Sequence, residues 1–421
     1  MNCRVKATVR ISLNAQVELP ISNFPVTPSK EFLHILTLSP NPFKRISFSF
    51  LHLCGYQCSA PSDSLATSWL PMFNRFFGRF SEDIGIDLGT SNTRVFVKEK
   101  GIVMNEPSIV AINTRTNHIL AVGKTAKDMV GKTPPHIQIT RPLTKGVISD
   151  FEVTEKMLKY FIDKIHDDAF TLVPRPRIVM SVPMEITEVE RKAVEDAALA
   201  AGARQALLVE APIAAAIGAG LPIEDSLGNM IVDIGGGTTE IAVISLSGIV
   251  TWKSLSVAGD EMTKHVLQYA RDVFNLLLGE RIAEDVKCAI GSSLDTGEGL
   301  RMTMRGRDLI TGLPKEVTVN DGQIREALNK SIRTIIDNIK ATIEVTPPEL
   351  VADIYERGII LVGGGSLLRG LERSISKETD IPVRVAEDPS TAVVRGCGIL
   401  LADERVLQDI ALPTTGIDRR R

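Results

Sequence analysis

Three stretches of the chain share one pattern: an apolar β-branched run, a sharp polar turn rich in glycine, and a second apolar run. Ile231 to Ile234 enters the first, with Asp233 at its tip; Gly235-Gly236-Gly237-Thr238-Thr239-Glu240 follows, and Ile241 to Val243 leaves. Ile84-Gly85-Ile86-Asp87-Leu88 and Arg94 to Val97 bracket Gly89-Thr90-Ser91-Asn92-Thr93 in the same order. Both read as strand, tight turn and strand. A third turn, Gly363-Gly364-Gly365, follows the run Ile359 to Val362 and opens a helix.

Elsewhere the alternation changes with position. Gly101 to Val122 reads as further strands and Gly123 to Gly131 as a short helix. Helices are predicted from Val153 to His166, from Thr187 to Ala201 with Gly202 as its stop, and from Ile213 to Gly220 after Pro212. Strands fall at Arg177–Val182 and Ala206–Glu210, and Gly248 to Val257 completes a meander. A long helix is predicted over Asp260–Leu278, another from Gly279, a β-ribbon over Thr303–Val319, and an amphipathic helix over Gln323–Glu344 ended by Pro347-Pro348. Pro382–Val385 is a last strand and Ala392–Leu407 a final helix. Strands alternating with helices argue for α/β layers.

Phe73, Phe76, Phe77 and Phe80 recur at i, i+3, i+4 and i+7, with Asn74, Arg75 and Arg79 off that face. The stripe suits either a short helix packed on the body or an interfacial membrane anchor. Residues 1–71, rich in Ser, Pro and Phe, show no sustained period. They read as a disordered extension or, the favoured expectation, as residues ahead of a true start at Met72.

Composition adds limits. Length allows two to three domains with proper cores. Residues 1–71 hold six Lys/Arg and three Asp/Glu, net +3, so with −3 for the whole chain the remainder carries −6. An acidic body argues against nucleic acid as the main partner. The five cysteines, at 3, 54, 58, 288 and 397, and six scattered histidines show no zinc spacing. They argue against a disulfide framework and fit a reducing cytoplasm. No apolar run approaches the ~20 residues of a membrane span.

The glycine turns carry the chemistry. Glycines leave consecutive N–H groups uncovered, a cradle for phosphate, with hydroxyls adding donors and Asp233 placed to hold a hydrated Mg²⁺. Two matching Asp-Gly hairpins far apart in sequence suggest two like-folded halves facing across a cleft. That layout resembles the actin, DnaK and sugar-kinase ATPase superfamily. Asp87-Leu-Gly-Thr-Ser-Asn-Thr93, Asn105-Glu-Pro-Ser108, Asp233-Ile-Gly-Gly-Gly-Thr-Thr-Glu240 and Gly363-Gly-Gly-Ser-Leu-Leu368 are similar to motifs of the MreB family, the bacterial actin homologues. So are Ala214-Ala-Ala-Ile-Gly-Ala-Gly-Leu-Pro222 and Pro347-Pro-Glu-Leu350; the likeness covers nearly all of 72–421.

The resemblance implies an α/β, actin-like ATPase fold: two RNase H-like domains, each with a small inserted subdomain, and ATP–Mg²⁺ in the cleft between them. Domain I would span 81–223 (insertion about 111–143) and domain II 224–392 (insertion about 260–323). Residues 393–421 would return to domain I and form the tail. Thr90, Ser91 and Asn92 would bind phosphate from one side, and Gly236, Gly237 and Thr238 from the other. Glu284, Asp285, Val286 and Lys287 would contact ribose and adenine, and Gly364, Gly365, Ser366 and Leu367 form the adenine-side loop. Asp87 and Asp233 would hold Mg²⁺ through water.

It further implies homopolymer filaments, peripheral association with the inner face of the cytoplasmic membrane, and partners in the cell-wall elongation machinery. Phe73, Phe76, Phe77 and Phe80, with Phe170 and Leu172 in a matching loop, would make the membrane contact. One departure stands out. The family places a water-orienting glutamate just before the proline of Pro-x-Ala-Ala-Ala; here that slot is Ala211, and the carboxylate lies one step earlier at Glu210. Intact ATP binding with slow turnover is the expectation, and Glu210 the candidate catalytic carboxylate. A sugar-type kinase would need a better-placed base, and a chaperone-like ATPase a peptide-binding domain.

Overall fold

A computed structural model of the chain describes residues 10–11, 15–16, 82–166 and 175–413. Strands β1 (Arg10–Ile11) and β2 (Ala15–Gln16) pair antiparallel within a unit covering Met1–Leu65; the remaining elements belong to a second unit.

The second unit opens with an antiparallel meander of β3 (Ile84–Leu88), β4 (Asn92–Val97) and β5 (Gly101–Pro107). A small sheet of β6 (Val110–Asn113), β7 (His118–Val122) and β8 (Ile137–Thr140) follows, with α1 (Lys124–Met129) between its last two strands. After the two-residue strands β9 (Leu143–Thr144) and β10 (Val147–Ile148) come α2 (Phe151–His166), β11 (Arg177–Val182), α3 (Glu188–Ala200), β12 (Gln205–Glu210) and α4 (Ala211–Gly218). β11 lies parallel to β3, and β12 to β11, so the sheet runs β5-β4-β3-β11-β12.

The same path is then walked again. β13 (Asn229–Ile234), β14 (Thr239–Ser245) and β15 (Gly248–Leu255) form a meander. An excursion follows through α5 (Gly259–Phe274), β16 (Leu276–Leu277), α6 (Glu280–Ile290), β17 (Arg301–Asp308), β18 (Pro314–Asn320), α7 (Asp321–Glu344) and α8 (Pro348–Arg357). β19 (Ile359–Val362), α9 (Leu371–Thr379) and β20 (Val383–Val385) complete a sheet ordered β15-β14-β13-β19-β20. Helices α10 (Ala392–Ala402) and α11 (Glu404–Ile410) close the described chain. Two mixed five-stranded sheets of identical order confirm the expected pair of like-folded halves.

Strand residues alternate between two cores. On β13 and β14, Met230, Val232, Ile234, Ile241 and Val243 face α5 and α7, while Ile231, Ala242 and Ile244 face a layer shared with the first sheet. That shared layer contains Ala214, Ala215 and Ala216 of α4, Val393, Cys397 and Leu400 of α10, and Val179 and Val209 of the first sheet. Burial on both faces explains the near-continuous apolar runs in the sequence. The two layer helices approach closely enough for backbone contact. A Cβ on Gly218 would overlap the carbonyl oxygen of Ala392, and one on Gly396 that of Ala214.

Local signals account for most boundaries. Thr187 and Glu190 form the capping box of α3, and Asn320 and Gln323 that of α7, which starts two residues before the predicted Gln323. Pro347-Pro348 ends α7, and Pro348 becomes the first residue of α8. Two predicted helices are interrupted. The Asp260–Leu278 segment stops at Phe274 because Asn275 adopts a left-handed conformation (φ 51°), freeing Leu276–Leu277 to pair with β17. The Ala392–Leu407 segment breaks at Asp403, whose carboxylate accepts the N–H groups of Arg405 and Val406 and so starts a new helix.

Candidate functional site

β3 and β4 pair Asp87 with Arg94 and Leu88 with Thr93, leaving Gly89 to Asn92 as the turn. β13 and β14 pair Asp233 with Glu240 and Ile234 with Thr239, leaving Gly235 to Thr238. The two turns have the same length and meet. The Cα of Gly236 lies against Ser91 Oγ and that of Gly237 against Thr90 Oγ1, so that any Cβ at either glycine would collide. The Gly146 N–H donates to Thr90 Oγ1 at 2.8 Å, and Ser91 Oγ donates to Asp260 Oδ1 at 3.2 Å. Asp260 is in the first turn of α5, and its own N–H donates to Gly236 O at 2.8 Å. The start of a 16-residue helix therefore points at the turn, adding the positive end of its dipole to a ring of N–H and hydroxyl donors.

Both turns open on one cavity of about 560 Å³. Asp87, Thr90, Ser91 and Asn92 line it from the first half, and Asp233, Gly236, Gly237 and Thr238 from the second. Asp87 and Asp233 lie on the strand faces directed at the shared layer, at the strand ends where that layer gives way to open space. Asp87 Oδ2 accepts from Arg94 Nη1 at 3.0 Å. Burial pushes its carboxyl above the usual range, opposed by the Arg94 charge. Asp233 is pushed up to about 7 by burial first and by the Asp87 charge second. Glu240 beside it is pushed up to about 8, again chiefly by burial, although its Oε1 accepts the Met184 N–H at 2.8 Å. Its Oε2 is buried with no hydrogen-bond partner.

The far end of the cavity differs in chemistry. Lys287 Nζ is held by Gly259 O (2.8 Å), Thr263 Oγ1 (3.0 Å) and Glu284 Oε2 (2.6 Å). Burial raises the Glu284 pKa, but Lys287 and the Thr263 hydroxyl outweigh it, and the net shift is downward. Gly364, Gly365 and Leu367, in a 3₁₀ turn after β19, form the facing wall with Leu368 and Arg369. Gly363 (φ 81°) packs its Cα against Asp233 Oδ1 and Ile234 O, which ties this wall to the second aspartate.

Four expected site residues lie off the cavity. On α6, Glu284 and Lys287 are one turn apart and share a face; Asp285 points to solvent and Val286 into the core. Ser366 is buried, donating to Gly363 O at 2.7 Å, and so shapes the turn from behind. Glu210 ends β12 as the N-cap position of α4, makes no side-chain cap, and does not line the cavity, whereas Ala211 does. Phe73, Phe76, Phe77, Phe80, Phe170 and Leu172 fall outside the described residues.

Sequence reasoning missed Glu240 and Asp260 as site residues. Glu240 stood in the quoted motif, and the equal turn lengths place it opposite Asp233. Among the described residues no group of three or more His, Cys, Asp or Glu side chains is arranged to ligate a metal directly, and no helix is long and apolar enough to cross a membrane.

Duplicated sheets with an aspartate-tipped turn from each half on a common cavity define an actin-like protein. The fold matches the crystal structure of MreB5 of Spiroplasma citri bound to ADP, with a TM-score of 0.74 and 36% identity over 78% of this chain and 98% of that one. It also matches a MamK double helical filament at a TM-score of 0.64 and 23% identity, a likeness of fold. The sequence profile for MreB/Mbl protein covers residues 81–409. The cell shape-determining protein MreB of Escherichia coli (strain K12) is 48% identical over 331 residues, 78% of this chain and 95% of that protein. Cell shape-determining protein Mbl of Bacillus subtilis (strain 168) is 48% identical over 322 residues, 76% and 96%. The chain belongs to the MreB/Mbl family.

Proposed function

We propose that this protein is an ATP-binding, actin-like cytoskeletal protein that polymerises into filaments at the inner face of the cytoplasmic membrane and directs cell shape by organising cell-wall synthesis. The observation that carries the nucleotide reading is the pair of facing turns on one cavity, each with its aspartate. The residues present fit Mg²⁺–ATP. Donors from both turns and the start of α5 suit the phosphates, and the Glu284–Lys287 face with the Gly364–Leu367 turn suits the nucleoside. Asp87 and Asp233, both on the cavity wall, would hold a hydrated cation, which would supply positive charge at the phosphates.

The protein's part in turnover is positioning and electrostatics. Ala211 at the cavity wall lacks the side chain that would orient an attacking water, and turnover is slow, lowered on the order of 10²–10⁴ relative to a site with that carboxylate. Domain I takes 81–223 with the 393–421 return, and domain II 224–392. The Phe73–Phe80 stripe anchors filaments to lipid, and partners are the membrane proteins of the elongation machinery. Titration with a fluorescent ATP analogue and Mg²⁺, then negative-stain imaging with liposomes, tests this. Saturable Mg²⁺-dependent binding and lipid-bound filaments are expected; a chain that binds no nucleotide overturns it.

A further inference from the structure

We propose that Glu240 is the group that holds the attacking water in this chain, in place of the carboxylate that position 211 lacks and less effectively than it would, and that the same carboxyl latches the two halves together. The proposal rests on reading the cavity as an ATP site.

Three features carry it. Glu240 stands on β14 in the second half, yet its Oε1 accepts the backbone N–H of Met184, just past β11 in the first, at 2.8 Å. Closure of the cleft at this point therefore runs through one side chain. Secondly, Oε2 is buried and makes no hydrogen bond to the protein. A buried oxygen in that condition is costly and calls for a water or a ligand proton. Thirdly, Glu240 shares the cavity wall with Ala211, Pro183 and Thr238. A Cβ on Gly146 would lie 3.2 Å from Pro183 Cγ and 3.5 Å from Thr238 Cγ2, so these residues close the end where the two turns converge. Glu210 does not line the cavity and acts on Glu240 through its charge.

With the Glu240 carboxyl ionised, as a cation held between Asp87 and Asp233 would keep it, the water donates one O–H to Oε2, which leaves a lone pair free to face the terminal phosphorus. The water oxygen bonds to phosphorus as the bridging P–O bond breaks, giving ADP and inorganic phosphate. One proton of the water stays on the released phosphate and the other passes to solvent. A glutamine at 240 keeps the latch, because its amide oxygen accepts from Met184. Its NH₂ then occupies the Oε2 position and donates where an acceptor is needed, and a flip would set two donors against each other.

The test uses the full chain as wild type, E240Q, E240A and A211E/E240Q. Three readouts apply: affinity for a fluorescent ATP analogue, hydrogen exchange at the Met184 amide, and phosphate release in single turnover. E240Q is expected to keep affinity within about threefold and to keep Met184 protected, while phosphate release falls about tenfold or more. Adding A211E restores release, and E240A exposes the Met184 amide to exchange. E240Q turning over at the wild-type rate, or a wild-type chain that binds nucleotide and releases no phosphate, overturns the water-holding role. Unchanged Met184 protection in E240A overturns the latch. Absence of nucleotide binding in wild type would strike at the ATP reading itself, and at this one with it.

Discussion

The two halves repeat one fold, but the residue across from each turn aspartate is opposite in charge. In the first half Asp87 pairs across the hairpin with Arg94; in the second Asp233 pairs with Glu240. The first acid is thus neutralised within its own hairpin. The second sits beside another acid in a buried setting, and both are held well above the ordinary carboxylate range. The balance missing from the second half has to come from a proton or a cation. A duplicated scaffold has been made asymmetric by one cross-strand position, which concentrates the demand for positive charge on one wall of the cleft.

The largest effect tests what the halves share. Gly218→Ala and Gly396→Ala each push a methyl into the opposing helix backbone, and each is expected to cost about 3 kcal/mol or more, in urea unfolding. Unequal costs would break the reciprocity. Next come the paired aspartates without nucleotide. Asp87→Asn strands the Arg94 charge and is expected to destabilise by about 2–3 kcal/mol. Asp233→Asn removes a repelling acid and should leave stability within about 0.5 kcal/mol of wild type, or raise it. Equal losses in thermal melts would erase the contrast.

A pH series sharpens it further. Glu240 titrates near 8 when folded and near 4.5 when unfolded, so the folded state binds more protons between those values. The contribution of this group to stability is full below about pH 4.5 and is lost as pH rises toward 8, by at most about 1.4 kcal/mol per pH unit. The nucleotide-free melting temperature should fall from pH 6 to pH 8, and Glu240→Gln should flatten that slope. The smallest effect is Ser91→Ala, which removes one tie between the halves, Ser91 to Asp260, and should cost about 0.5–1 kcal/mol.

Much of this was legible before any coordinates. Apolar runs broken by Asp and Gly define hairpins through φ/ψ freedom and exposed N–H groups, so the turns at 89–92 and 235–238 followed directly. The capping residue Thr187 and the Pro212 position marked helix starts, and Pro347-Pro348 marked the end of α7; that Pro348 also begins α8 was not read from the sequence. What stayed hidden depends on phase and register. Whether 284 and 287 or 285 and 286 face the cavity is decided by how α6 rolls onto its core. Glu240 reads as an ordinary motif residue until the register sets it beside Asp233 and burial removes it from bulk solvent. The broken helix at Asp403 was missed because an apolar period can continue across a cap.

The crossing of α4 and α10 has a mechanical consequence. Where two backbones touch through paired glycines, neither helix can slide along the other without meeting a carbonyl, yet each can swivel about the point of contact. The crossing therefore pins the two helices at one point, and any rearrangement of the layer between the two sheets has to turn about that pin instead of shearing past it.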